Sequence, residues 1–246
     1  MINLLTKKKG YDICKILKKK NIEIIKKEIK KIFNFQGSYK ELNNYIIELY
    51  DKNPIYAGKC YDMLNQSIAI QNIFLKKPIL SIIMKYFKLY SKKQYLAYSD
   101  YQFLIILPNS KKEHLGWHQD SGYFKNSENP GNSLICWTSL SLFSDKVSGS
   151  LELLEGSHLN GIVSHAKNDP RIRKKVNLNK RGSVFINQRI VASYTKKNIN
   201  IKSGSSLIFD ANVIHRTGEQ KISKHGIRFT LIARYKNILS VLSTEK

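Results

Sequence analysis

The feature that most constrains this sequence is a change of rhythm near Lys93. From Tyr95 onward, short runs rich in Tyr, Ile, Leu and Phe are separated by clusters of turn-forming residues. Tyr95–Leu107 ends at Pro108-Asn109 and reads as a strand and a turn. Further strand candidates are Leu115–Phe124, Leu134–Phe143, Ser150–Leu154, Ser183–Ala192, Asn198–Ile201, Ser206–Phe209 and Ile227–Tyr235. Stretches such as Asn129-Pro130-Gly131-Asn132 and Lys202-Ser203-Gly204 break the chain between them. About eight short strands in roughly 140 residues suggest a sandwich or barrel of the jelly-roll type.

The N-terminal part has helical spacing instead. Asn21 reads as an N-cap, followed by Ile22, Ile25, Ile29, Ile32 and Phe33 along one helix face. Tyr39 to Leu49 repeats the pattern with Leu42, Tyr45, Ile46 and Leu49. Pro78 fits the first turn of a third helix, with Leu80, Ile83, Met84 and Phe87 on one side. Such stripes are core. With no internal repeat and no low-complexity linker, the helices are expected to buttress the β-core. The expected organisation is one domain over 1–246, mostly helical support in 1–93 and jelly roll in 94–236.

Composition narrows the class. A chain of 246 residues, 42% apolar, can bury a core without disulfide or metal staples. Cys14, Cys60 and Cys136 form no C-x-x-C pair, so neither a disulfide framework nor a zinc ribbon is expected. Lys7, Lys8, Lys9, Asp12 and Lys15 interrupt any early hydrophobic region, and no run approaches the length of a membrane span. A reduced, cytoplasmic globular protein is the expectation.

The net charge of +24 raises the question of a nucleic-acid partner. Only seven of the 42 basic residues are Arg, and the chain is heavy in Ile and Asn, a profile that an AT-rich genome imposes. The charge is also spread: residues 1–100 carry 20 basic and 8 acidic groups, residues 101–246 carry 22 and 10. A solvated lysine surface accounts for this, as would a surface that attracts an anionic partner, and charge alone does not decide between them.

Chemistry enters with Gly116-Trp117-His118-Gln119-Asp120. In a strand, residues i and i+2 share a face, so His118 and Asp120 can aim an imidazole and a carboxylate at one point. A second His from a distant strand would complete a two-His, one-carboxylate triad for Fe(II). Alone, His-x-Asp is as well read as a surface pair. Farther on, Ser206–Phe209 leads to His215 and a polar turn, and Arg228 then opens an otherwise apolar strand. An Arg in that position needs a buried anionic partner, which a carboxylate-bearing co-substrate would supply.

In these blocks the sequence resembles the phytanoyl-CoA dioxygenase family of Fe(II)/2-oxoglutarate-dependent oxygenases. The resemblance rests on Trp117-His118-Gln119-Asp120-Ser121-Gly122-Tyr123-Phe124 and on Trp137 opening the next strand. It continues through Ser148-Gly149-Ser150-Leu151-Glu152-Leu153-Leu154-Glu155-Gly156-Ser157-His158, Gly161 and His165, and closes with His215 to Tyr235. Gly10-Tyr11 matches the family's opening strand. The fold it implies is a mainly β, cupin-like double-stranded β-helix with a helical N-terminal part.

The resemblance implies roles as well. His118, Asp120 and His215 would bind the iron; Arg228 and Thr217 would hold the distal carboxylate of 2-oxoglutarate, and Trp137 would line its pocket. The implied reaction consumes O₂ and 2-oxoglutarate, yields succinate and CO₂, and hydroxylates an unactivated C–H of a small molecule. The basic surface favours an anionic or phosphate-bearing substrate, such as a CoA-, carrier-protein- or nucleotide-linked one. Asp120 favours hydroxylation, because relatives that halogenate carry Gly or Ala there.

Several positions depart from the pattern. Glu155 replaces a Pro, Gln220 stands where an Asn is usual, and Ile106-Leu107 falls where some relatives carry a polar contact to the co-substrate. His158 and His165 are read as structural, and His114 and His225 as loop residues. The rim of the pocket is expected in 109–116, 125–133 and 156–182. Two alternatives remain at this level. Arg228 and Arg234 share the R-x5-R spacing of AlkB-like nucleic-acid demethylases, and a catalytically silent jelly roll could bind a metal or anion without turnover.

Overall fold

The structure, a computed structural model, describes residues 4–90, 92, 95–108, 116–123, 131–143, 147–163, 165–167, 184–218 and 226–238. Helix α1 (Leu4–Lys9) leads into strand β1 (Tyr11–Cys14). Five helices follow: α2 (Lys19–Ile32), α3 (Tyr39–Lys52), α4 (Pro54–Asn65), α5 (Ile68–Phe74) and α6 (Lys77–Phe87). The β part comprises β2 (Leu96–Ile106), β3 (Ser133–Leu140), β4 (Val147–Leu154), β5 (His165–Lys167) and β6 (Val184–Ile186). A short helix α7 (Gln188–Ala192) precedes β7 (Lys196–Lys202), β8 (Ser206–Asp210), β9 (His215–Thr217) and β10 (Arg228–Asn237).

The strands form a jelly roll. A five-stranded antiparallel sheet runs β1-β8-β3-β10-β2, and a three-stranded sheet runs β7-β4-β9. Side chains alternate across the larger sheet. Ile135, Trp137, Leu207, Phe209 and Ile232 face the smaller sheet, where they pack with Leu151, Leu153 and Ile201. Cys136, Leu140, Ile208, Phe229, Leu231 and Tyr235 face the other way, against Ile25, Ile29, Leu42, Ile46, Ile83 and Phe87 of the helices. The larger sheet is therefore the middle layer, and its concave face is left for the site.

Capping explains the helix boundaries. Ser38 and Glu41 form a reciprocal capping box at α3, Asn53 accepts from Tyr56 N at α4, and Pro54 and Pro78 sit in first turns. Helix α2 starts earlier than the sequence suggests: Asn21 lies inside it, donating to Lys18 O at 2.9 Å. Burial of Ile16 and Leu17 fixes where the chain enters. Helices α4 and α5 were not anticipated. The buried stripe of α4 is Ala57, Cys60 and Leu64, so only one large aliphatic residue marks its inner face. Asn65 at its end donates to Phe103 O and accepts from Phe103 N, covering the outer edge of β2.

Two strand assignments are corrected. The described part of Leu115–Phe124 is no continuous strand: His118 makes one isolated bridge, and Asp120–Tyr123 is a turn of 3₁₀-helix. The buried Gln119 amide is the reason. It donates to Gly161 O and Asn212 O and accepts from Val163 N, so a side chain takes contacts that a neighbouring strand would make. Ser183–Ala192 is likewise split, because the Asn187 side chain accepts from Arg189 N and starts α7. Among the described residues no helix is long and apolar enough to cross a membrane. Cys14, Cys60 and Cys136 are all free thiols.

Candidate metal centre and co-substrate pocket

His118 and His215 are brought together by their main chains. His118 N donates to His215 O at 3.0 Å, and His215 N donates to His118 O at 2.9 Å. Paired so closely, the two imidazoles stand side by side, ring centroids 4.2 Å apart. Asp120 reaches the same point from the following 3₁₀ turn, which Ser121 N anchors by donating to Ala211 O. Its Oδ1 lies 3.7 Å from His118 Nε2 and 3.5 Å from His215 Nε2. All three residues are buried, and their ligand atoms lie within 4.8 Å of one another.

The protonation pattern suits a cation. His118 Nδ1 is 2.8 Å from Gly116 O, and His215 Nδ1 is 3.0 Å from Val213 O. A ring nitrogen facing a carbonyl carries the hydrogen, which leaves each Nε2 as a lone-pair donor toward Asp120. Burial, with His215 beside it, pushes His118 down to about 4, and burial lowers His215 as well. Burial opposes ionisation of Asp120, yet Arg234 and the two histidines outweigh it and hold the carboxyl below its ordinary range. Two neutral imidazoles and a carboxylate thus converge, the donor set of a facial triad with open positions.

The surroundings lock these groups. The Arg216 guanidinium stacks 4.7 Å over the Trp117 ring and pairs with Glu152 across the β4–β9 ladder, its Nε 2.6 Å from Glu152 Oε2. Ile214 N donates to Ser157 Oγ, which donates in turn to Leu154 O. His158 belongs to the scaffold, its Nε2 2.9 Å from Lys7 O. Glu155 suits its turn, because Glu155 N donates to Thr195 O, a bond the usual Pro could not make.

Above the triad lies a cavity of about 350 Å³. His118, Asp120, Trp137, His215, Thr217 and Arg228 all line it, so every site residue expected from sequence meets there. Arg228 is buried at the start of β10, its guanidinium carbon 5.6 Å from the Trp137 ring centroid. Thr217 reaches the cavity from β9, opposite Leu151 of β4. Ile106 also lines it, directly opposite Arg228 in the β2–β10 ladder.

Among the lining residues that sequence reasoning did not place at this site are Thr230, Arg234 and Tyr61. Thr230, two residues beyond Arg228 on the same face, has a buried hydroxyl with no hydrogen-bond partner among the described residues. The period-two alternation of β10 could have found it. Arg234 pairs with Asp120 and with Asp100 of β2, which the R-x5-R spacing alone does not foretell. Tyr61 comes from α4, where no strand pattern points to it. His114, His225 and Gln220 lie outside the described residues, as does the His165 side chain. So do most of the expected rim segments 109–116, 125–133 and 156–182.

Comparison with known proteins agrees with this geometry. A sequence model described as phytanoyl-CoA dioxygenase matches residues 86–228, more than half of the chain. The chain belongs to the phytanoyl-CoA dioxygenase family. It is accordingly an enzyme of the non-haem iron, 2-oxoglutarate-dependent class. No curated protein sequence matches it.

Solved structures share the fold at low identity. AviO1 from Streptomyces viridochromogenes Tue57 is 12% identical with a TM-score of 0.55, over 95% of this chain and 92% of that one. The non-haem α-ketoglutarate-dependent epimerase SnoN of nogalamycin biosynthesis is 12% identical with a TM-score of 0.58, over 95% and 79%. The carbocyclase SnoK of the same biosynthesis is 11% identical with a TM-score of 0.59, over 95% and 82%.

The residues present fit both groups. The triad offers nitrogen and carboxylate donors suited to Fe(II). The Thr230 hydroxyl, unpartnered among the described residues and lining the same cavity as Arg228 and Thr217, suits a carboxylate bound there.

Proposed function

We propose that this protein hydroxylates an unactivated C–H bond of a small, anionic or phosphate-bearing molecule, with His118, Asp120 and His215 holding Fe(II). The observation that carries the reading is the meeting of the triad and Arg228 in one cavity. Iron, 2-oxoglutarate and O₂ together supply an oxidant strong enough for such a bond, with succinate and CO₂ as co-products.

The chain's own residues do the positioning. Arg228 takes the distal carboxylate of 2-oxoglutarate, with Thr217 and Thr230 hydrogen-bonding the same group. Trp137 forms a wall under the Arg228 guanidinium and fixes its plane. Leu104, Ile135 and Ile232 keep water from the space between that anchor and the triad. In this reading residues 1–246 act as one dioxygenase domain, with 1–93 mostly helical support. The substrate is carrier- or nucleotide-linked, in keeping with the excess of lysine. Arg234 is committed to Asp120 and Asp100, so the R-x5-R spacing lends no support to nucleic-acid repair.

Anaerobic titration with Fe(II) and 2-oxoglutarate tests the reading. A weak visible charge-transfer band is expected, weakened in Arg228→Ala, with succinate formed once O₂ is admitted. Asp120→Ala is expected to abolish hydroxylation. Folded, iron-loaded protein with neither band nor succinate would overturn the proposal.

A further inference from the structure

One largely buried guanidinium ties the triad to the far edge of the sheet. Arg234 Nε donates to Asp120 Oδ2 at 2.9 Å, and Arg234 Nη1 donates to Asp100 Oδ1 at 3.1 Å. Asp100 stands opposite Arg234 in the β2–β10 ladder. The Arg234 side chain is 14% exposed and that of Asp120 8%, whereas the Asp100 side chain is 43% exposed. Nε and Nη1 donate from different edges of the planar group, so one side chain spans two carboxylates in a fixed geometry. Lysine has no such fork.

The division of labour at Asp120 matters most. Oδ2 accepts from Arg234, while Oδ1 is the oxygen that lies 3.7 and 3.5 Å from His118 Nε2 and His215 Nε2. Turning both oxygens toward a cation would break a buried, charge-assisted hydrogen bond, which is among the stronger polar contacts a protein makes. We propose that Arg234 is a positioning residue that restricts Asp120 to one metal-facing oxygen, so that a bound cation keeps positions open for 2-oxoglutarate, and that Asp100 holds Arg234 in that role. The inference rests on the triad being a metal site.

Co(II), a spectroscopically visible substitute, tests it without turnover. Wild type, Arg234→Gln, Arg234→Lys and Asp100→Asn are titrated anaerobically with Co(II), then with 2-oxoglutarate, and visible spectra are recorded. In Arg234→Gln the protein is expected to retain Co(II) with a changed spectrum. Its 2-oxoglutarate affinity is expected to fall about 10–100-fold, the scale on which losing an outer-shell partner lowers metal affinity or activity. Asp100→Asn is expected to shift both readouts the same way by a smaller factor, and Arg234→Lys is not expected to restore them.

Variants that match wild type in spectrum and in 2-oxoglutarate affinity overturn the inference. So does a uniform loss of Co(II) affinity with no spectral change, the signature of a merely structural role. Should Arg234→Gln fail to fold, Asp100→Asn decides by the same criteria, because its half-exposed side chain can be changed at little structural cost. Wild type that takes up no Co(II) overturns the metal reading and this one with it. Wild type that binds Co(II), with unshifted variants, overturns this inference alone.

Discussion

The main chains of His118 and His215 donate to each other, N to O in both directions, at 3.0 and 2.9 Å. The bridge belongs to the backbone, so it survives loss of either imidazole. His215→Ala is therefore expected to fold, with near-native circular dichroism, while Fe(II) affinity falls by more than the roughly 10–100-fold typical of losing an outer-shell group. Equilibrium dialysis with iron determination checks this. Retained affinity would remove His215 from the ligand set.

Thr230 sets two readouts against each other. Its hydroxyl is buried without a partner among the described residues, which costs stability when nothing is bound. Thr230→Val should therefore leave the metal-free protein equally stable or raise its stability by up to about 1 kcal/mol. The same change should lower 2-oxoglutarate affinity by a few-fold to about 30-fold, the equivalent of roughly 0.5–2 kcal/mol. Calorimetric unfolding and anaerobic titration give the two signs. A fall in stability with unchanged affinity would place the hydroxyl outside the carboxylate site.

Much of this was legible in the sequence, and the failures have physical causes. Trp117-His118-Gln119-Asp120 and His215 carried the triad because three donor side chains must converge whatever the backbone between them does. His118 and Asp120 nonetheless do not share a strand face as their spacing predicts. Asp120 arrives from a 3₁₀ turn, because the Gln119 amide replaces strand pairing there. Long strands such as β2 and β10 were legible from their apolar runs. Helix α4 was not, since its buried stripe is Ala57, Cys60 and Leu64. The Arg234 pair with Asp120 joins residues far apart in the chain, and spacing cannot encode such a contact.

Asp210 gives the protein an unusual acid-side behaviour. Buried at the end of β8, its carboxyl is pushed up to about 7 by burial, although Asn212 N and Gly131 N donate to it. The folded state then keeps a proton that the unfolded state has released above its ordinary value near 4. Stability from this group is full below that ordinary value and is lost as pH rises toward 7. His118 works in the opposite sense, because burial lowers it to about 4, so its contribution is lost as pH falls below 6.5. Asp210→Asn should remove the first effect only. Between about pH 4 and 6.5 the metal-free variant should gain stability with rising pH more steeply than wild type, by up to about 1.4 kcal/mol per unit. Urea unfolding across that range measures the two slopes, and equal slopes would refute the assignment.

Gly10 and Gly58 should respond oppositely to the same substitution. Gly10 has φ +85°, and a Cβ there would meet the His158 ring and approach Val213 Cγ2 to 2.7 Å. Its carbonyl also accepts from Asp210 N, and Lys9 O accepts from Gly156 N, so this turn is docked against the block that leads to His215. Left-handed strain of about 1–2 kcal/mol and overpacking of about 1–3 kcal/mol both oppose Gly10→Ala. The Tm is expected to fall by roughly 5–15 °C in a chain of this size. Gly58 lies inside α4, and among the described residues no atom lies within 4 Å of its would-be Cβ. Gly58→Ala gains helix propensity without a clash and should raise stability by about 0.5–1 kcal/mol. Differential scanning calorimetry on the two single variants reads both signs. A Gly10→Ala protein as stable as wild type would mean that the N-terminal turn does not pack on His158 in solution.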